Sequence, residues 1–74
     1  MVEAYRVVVD GRGGRTYSSM MSADAVARSY ARFGTYCTLE WRRRPGALWA
    51  LITIYEPRGH GNFAVVNPHA EVVQ

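Results

Sequence analysis

The chain has 74 residues, of which 49% are hydrophobic and 20% charged, with a formal net charge of +3. These values predict one small folded domain, residues 1–74, rather than a disordered chain. A single cysteine and two histidines argue against a disulfide framework or a metal cluster, so self-association is the remaining way to support so small a core. No apolar stretch is long enough for a bilayer, and the lone thiol agrees with a cytoplasmic protein. We expect no membrane association, no cofactor and no small-molecule substrate.

The first predicted element is a strand over residues 3–9, rich in tyrosine and valine, which ends at the glycine turn, residues 10–14 (DGRGG). Residues 15–19 predict a short return strand, and the alternative is an irregular connection to the next element. Residues 11–15 (GRGGR) resemble a phosphate-cradling loop or a fragment of an RGG segment. They lack the residue order of a P-loop or a dinucleotide fingerprint, so a turn that needs positive φ is the favoured interpretation.

A helix is predicted over residues 22–33, with Ser22 as its N-cap, Asp24 in its first turn and Gly34 just past its end. Asp24 and Arg28 are spaced to form an ion pair. Apolar residues at helical spacing predict the buried face. They are Ala23, Val26, Ala27, Tyr30 and Phe33.

Residues 35–56 predict one hairpin, and its register follows from the side chains because a slip of one residue would exchange the two faces. Pairing Arg43 with Leu48 leaves a four-residue loop and collects the apolar residues on an inner face. The pairs on that face are Trp41 with Ala50, Leu39 with Ile52, and Cys37 with Ile54. Adjacent registers would place Glu40 or Thr38 in the core, which is costly for polar groups.

The other face of this hairpin carries aromatic and basic residues that core packing does not explain. Tyr36 is predicted opposite Tyr55, and Arg42 opposite Trp49. Tryptophan, tyrosine and arginine are the residues that anchor protein interfaces. The predicted partner-binding residues are Tyr36, Arg42, Arg43, Arg44, Trp49 and Tyr55. Two alternatives remain: a solvent-facing sheet on which Arg42 lies over Trp49, and a nucleic-acid site in which arginines clamp phosphates and the rings stack on bases.

The topology bears on the choice between a protein and a nucleic acid. If residues 15–19 form a strand, the glycine turn and the arginine tip of the hairpin point to opposite ends of the sheet. If they form a loop, both turns lie at one end and concentrate the positive charge into a phosphate-binding footprint. The strand is the favoured interpretation, and it weakens the nucleic-acid hypothesis.

Cys37 and His60 are the candidates for catalysis, as a thiol nucleophile with a histidine base. Cys37 is predicted on the inner face, where a thiol behaves as a small hydrophobic side chain, and no third catalytic group is evident. We therefore expect that the protein is not an enzyme and has no catalytic or metal site.

After Pro57 the sequence predicts a loop, a short strand over residues 63–66 and a turn, with residues 67–74 as an edge strand or a frayed tail. The predicted fold is α+β, a ββαββ(β) antiparallel-rich sheet with one helix on one face. The expected function is binding of a partner protein, or of a second copy as a homodimer, through the uncovered sheet face or an edge strand. The alternative is a nucleic-acid-binding module that uses the arginine tip and the exposed aromatic residues.

In size, arginine-rich composition and single-helix layout, the chain resembles the small inhibitors that bacteriophages and mobile elements encode, anti-CRISPR proteins among them. The likeness lies in general character and involves no shared motif. It implies an accessory protein that inhibits a host complex by binding to it.

Overall fold

The structure is a computed structural model that describes residues 3–12 and 14–67. The elements in chain order are β1 Ala4–Val9, β2 Thr16–Tyr17, α1 Met20–Arg32, β3 Cys37–Arg42, β4 Ala50–Gly59 and β5 Asn62–Val66. The strands form an antiparallel sheet in the order β2-β1-β3-β4-β5, and α1 packs on one face of it, which confirms the predicted α+β fold. Within the described part of the chain, no helix has the length and apolar character that a membrane span requires. A strand or tail is predicted over residues 67–74. Apart from Asn67, these residues lie outside the part of the chain that the structure describes.

Helix α1 begins two residues earlier than the sequence predicts. Its N-cap is Ser19, whose side-chain oxygen accepts a hydrogen bond from the Ser22 backbone N–H at 3.4 Å. Ser22 is therefore inside the helix, and Asp24 lies beyond the first turn. Both serines suit an N-cap, and the two methionines between them are good helix formers, so the longer helix is favoured. The predicted end is confirmed, because Gly34 adopts φ +89° directly after the C-cap residue Phe33.

The buried face of α1 is a stripe of alanines spaced four residues apart. Its members are Ala23, Ala27 and Ala31, each at most 1% exposed. Small side chains let the helix backbone lie close to the sheet, so the large side chains of the core, such as Tyr55 and Leu39, come from the sheet. Tyr30 and Phe33 are 43% and 86% exposed, so their predicted place in the buried face is wrong. Val26 packs at the border of the core.

The hairpin of β3 and β4 has the predicted register near its tip. Trp41 pairs with Ala50 there. Beyond this pair the strands separate, and residues 43–49 connect them. The connection is longer than the predicted four-residue loop, and the described ladder does not include an Arg43–Leu48 pair.

A β-bulge in the middle of this hairpin changes which residues of β4 face the helix. The pairs beyond the bulge differ from the prediction by one residue. They are Leu39 with Thr53 in place of Ile52, and Cys37 with Tyr55 in place of Ile54. Because side chains alternate along a strand, this shift turns Tyr55 toward the helix and Ile54 away from it. The predicted pairing of Tyr36 with Tyr55 on the far face is therefore wrong.

The core lies between the alanine stripe and the inner face of the sheet. Its buried side chains are Val7, Ala23, Ala27, Ala31, Cys37, Leu39 and Tyr55. The Tyr55 hydroxyl donates a 2.6 Å hydrogen bond to Asp24 Oδ1, and Arg28 Nε donates one of 2.8 Å to Asp24 Oδ2. The predicted Asp24–Arg28 ion pair is thus confirmed. Burial, together with the hydrogen bond to Asp24, raises the pKa of Tyr55, so the buried phenol stays protonated.

The glycine turn and the arginine tip lie at opposite ends of the sheet. Strand β1 is antiparallel to β3, so its C-terminal end, which leads into the glycine turn, lies beside the start of β3. The arginine tip follows the far end of β3. The predicted return strand is present in shorter form as β2, whose two residues pair with Tyr5 and Arg6. The positive charge is therefore divided between the two ends.

Candidate functional site

The candidate site is the face of the sheet opposite α1, termed the outer face. Strand alternation and register assign eleven half-buried residues to it: Ala4, Arg6, Val8, Thr38, Glu40, Arg42, Leu51, Ile54, Glu56, Ala64 and Val66. One row of cross-strand neighbours runs over four strands, from Val8 through Thr38 and Ile54 to Val66. Within residues 3–12 and 14–67, no helix or second sheet covers this face. Its middle is therefore a mainly aliphatic surface.

A group of four side chains at one end of the outer face forms the Arg–Trp cluster: Arg6, Glu40, Arg42 and Trp49. The guanidinium carbons of Arg6 and Arg42 lie 4.4 Å and 4.6 Å from the centre of the Trp49 ring. Arg6 forms an ion pair with Glu40, its direct register partner on β3, with Arg6 Nε 3.0 Å from Glu40 Oε1. Cation–π contacts and a partly desolvated ion pair hold these long side chains in place.

Two of the predicted partner-binding residues, Arg42 and Trp49, meet in this cluster, and the stacking of one on the other is the contact that the alternative of a solvent-facing sheet predicted. Arg43 and Arg44 are exposed in the connection that follows β3. Arg42 Nε is buried and has no hydrogen-bond partner among the described residues. The cluster and the tip therefore form one positively charged end of the outer face.

Tyr36 and Tyr55, the other predicted partner-binding residues, lie elsewhere. Tyr55 is 0% exposed and belongs to the core, so its predicted surface role is wrong. Tyr36 is 43% exposed, but it precedes β3 and lies at the end of the sheet away from the tip. Six residue steps separate Tyr36 from Arg42, or about 20 Å along an extended strand. The three-ring platform predicted from the sequence is not formed.

The sequence prediction missed Arg6 as a functional residue. Its signal is its position in β1, where a charged residue alternates with the apolar Tyr5 and Val7 and therefore points to the opposite face. Pairing of β1 with β3 then sets Arg6 opposite Glu40. That pairing joins residues far apart in the chain, so the sequence alone does not indicate the cluster.

Cys37 and His60 do not form a supported catalytic pair. Burial, and to a lesser extent the charge of Asp10, raises the pKa of Cys37 to about 11. The thiol is therefore protonated at neutral pH, and Cys37 Sγ donates a 3.5 Å hydrogen bond to the Thr35 carbonyl oxygen. His60 lies in the turn between β4 and β5 and is exposed. The described residues contain no group of three metal-binding side chains.

No protein-family model, curated protein or solved structure matches this chain. The outer face, the Arg–Trp cluster and the arginine tip are therefore the grounds on which a function is assigned. They offer apolar area and positive charge.

Proposed function

We propose that the protein is a non-enzymatic interaction protein that binds an acidic partner protein through its outer face. The observation that carries the proposal is the mainly aliphatic row of Val8, Thr38, Ile54 and Val66 across four strands, which the described residues leave uncovered. Apolar surface removed from water contributes about 25 cal/mol per Å² to association. A sheet face that is apolar and lacks a second layer is typical of an interaction surface.

The Arg–Trp cluster supplies an anchor at one end of this surface. Trp49 and two arginines are the residue types that dominate measured binding energies at protein interfaces. Their mutual contacts of 4.4 Å and 4.6 Å keep the ring ordered in the free protein. Ordering before binding lowers the conformational entropy that association must overcome. The cluster is therefore suited to be the point at which affinity is concentrated.

Charge at the same end supports the choice of an acidic partner. The cluster and the tip together carry Arg6, Arg42, Arg43 and Arg44, and the cluster contains one acidic residue, Glu40. Complementary charge around an apolar centre accelerates association and disfavours partners of the wrong charge. The same positive charge disfavours one way of stacking the outer faces of two copies, in which the two arginine tips would meet and repel each other.

Three observations weaken the nucleic-acid alternative. The middle of the outer face is aliphatic and offers no rings for base stacking. Tyr36 and Tyr55 do not join Trp49. The glycine turn, with Arg12, lies at the end of the sheet away from the arginine tip. An accessory protein of the kind the chain resembles would then act by covering a surface that its partner uses.

The proposal is tested by capture of partners from a nuclease-treated lysate of the native host, followed by affinity measurement with the purified partner. Ile54→Glu places a charge in the middle of the outer face, and Trp49→Ala removes the anchor. We expect each substitution to weaken binding at least tenfold. Phe33→Ala is the matched control, since that ring is 86% exposed on the helix side, and we expect it to bind like the wild type. Circular dichroism checks that all variants are folded.

Two results would contradict the proposal. The first is a partner that binds Ile54→Glu and Trp49→Ala as tightly as the wild type. The second is capture that nuclease abolishes, together with tight binding to random DNA or RNA that falls steeply with salt. In that case an Arg43→Glu, Arg44→Glu double variant should lose nucleic-acid binding, which would assign the arginine tip to phosphates.

A further inference from the structure

The two edges of the sheet are protected very differently. At one edge, β2 is only two residues long, and the glycine turn closes over the rest of β1. Val9 and Arg12 exchange backbone hydrogen bonds of 3.1 Å and 2.9 Å there. The exposed side chains of Arg12 and Arg15 flank this edge. Short strands, irregular turns and charges are the devices by which natural sheets prevent pairing with another chain.

The other edge, β5, lacks these protections. Its five residues, NFAVV, include no charge and no proline. Its register with β4 is regular from Phe63 to Val66, and the nearest irregularity lies beyond Pro57. Within residues 3–12 and 14–67, only β4 pairs with this strand. The second edge of β5 therefore presents backbone donors and acceptors and a partly exposed Val65.

We propose that β5 pairs with β5 of a second copy of the chain, antiparallel about a twofold axis, to give a continuous ten-stranded sheet. The register that uses the whole strand centres on Ala64, with Asn62 opposite Val66 and Phe63 opposite Val65. Residues opposite each other then share a face, as antiparallel pairing requires. Because the strand is uncharged, no like charges meet within the pairing.

A second copy is favoured over a different partner by the size of the core and by the placement of charge. Of the seven buried core residues, three are alanine and one is cysteine, so the chain buries few large side chains. Self-association is a common way for so small a domain to gain stability. Antiparallel pairing turns the second copy by half a rotation, so the two arginine tips point to opposite ends of the joined sheet. The outer faces of the two copies become continuous.

Light scattering and sedimentation measure the mass of the full chain and so test the dimer directly. Protein concentrations on the order of 1–200 µM cover the dissociation constants of weak protein interfaces. Ala64→Lys and Ala64→Glu each place like charges opposite each other at the centre of the pairing. We expect each variant to dissociate at least tenfold more readily than the wild type. An equimolar mixture should regain a heterodimer, because a lysine then lies opposite a glutamate. Ala25→Lys, on the exposed side of α1, is the matched control and should leave the mass unchanged.

Hydrogen exchange of the β5 amides identifies the occupant of the edge. A second copy protects the alternate amides that β4 leaves free, and this protection disappears when dilution separates the copies. A monomeric mass with protection that does not change on dilution would overturn the proposal, because residues 68–74 or another part of the same chain would then cover the edge. A dimer in which both Ala64 variants retain wild-type affinity would overturn it too. None of these measurements involves the proposed acidic partner, so the two proposals fail separately.

Discussion

Replacement of Tyr55 by phenylalanine tests the buried hydrogen bond that joins the sheet to the helix. The Tyr55 side chain is 0% exposed, and its hydroxyl donates to Asp24 Oδ1 at 2.6 Å. Tyr55→Phe keeps the ring and removes only this oxygen, so packing changes little. The carboxylate of Asp24 then loses one of the two side-chain donors that contact it, the other being Arg28.

The expected loss of unfolding free energy follows from the exposure of the acceptor. A hydrogen bond to a charged group contributes about 1.5–3 kcal/mol. The Asp24 side chain retains 33% of its exposed area, so water can replace part of the lost interaction. We therefore expect Tyr55→Phe to lower the free energy of unfolding by about 1.5 kcal/mol, at the lower end of that range.

Urea unfolding followed by tryptophan fluorescence at pH 7 measures this loss. With a slope of about 1 kcal/mol per molar urea for a chain of this size, the midpoint should fall by about 1.5 M with the slope unchanged. Tyr36→Phe is the matched control, because Tyr36 is 43% exposed, and it should leave the midpoint in place. A double-mutant cycle with Asp24→Asn should give a coupling energy of about 1 kcal/mol. A midpoint for Tyr55→Phe equal to that of the wild type would refute the buried placement of this hydroxyl.

Three further changes test the packing and the titration of the core. Ala27→Leu overfills the contact between helix and sheet and should cost about 1–3 kcal/mol in urea unfolding, whereas Ala25→Leu on the exposed side should cost little. Gly14→Ala would place a methyl group against the Val7 carbonyl oxygen, so we expect a lower thermal midpoint; an unchanged midpoint would contradict this close approach. Burial raises the pKa of Cys37 from 9.0 to about 11, so the folded state keeps a proton that the unfolded state releases between these values. Cys37 should therefore contribute a fall in stability of up to about 1.4 kcal/mol per unit as pH rises from 9 to 11, and Cys37→Ala should remove this contribution from the slope.

Local signals in the sequence are sufficient to predict where the helix and the main strands lie, but not which face of each element is buried. The N-cap serines, Gly34 and the helical spacing of apolar residues identify α1, and the alternation from Cys37 to Trp41 identifies β3. The buried stripe of the helix is harder to predict, because the alanines and the aromatic residues both recur at helical spacing and either set could face the sheet. The choice between them depends on the distance between helix and sheet. That distance is a tertiary property, and the alanines make it short.

The bulge in the hairpin is the feature that the sequence could not indicate. Ile52 still packs against the core, but without the bulge Ile54 would face the helix as well, which is the more hydrophobic arrangement. The observed register instead buries Thr53 and Tyr55, and each finds a polar partner. Thr53 Oγ1 donates a 3.0 Å hydrogen bond to Asn67 Oδ1, and Tyr55 donates to Asp24. Such partners lie 14 and 31 residues away in the chain, so hydrophobic alternation within the hairpin does not reveal them.

The same bulge also decides the character of the outer face and hence the kind of partner it suits. By turning Tyr55 inward it brings Ile54 to the surface between Thr38 and Val66. An aliphatic side chain has no ring face for a base to stack on, and its contribution to binding grows with the area that a partner covers. Trp49, already in contact with two guanidinium groups, remains at one end as the aromatic anchor. The arrangement therefore favours a protein surface that covers a broad area over a nucleic acid strand that would need several separate stacking sites.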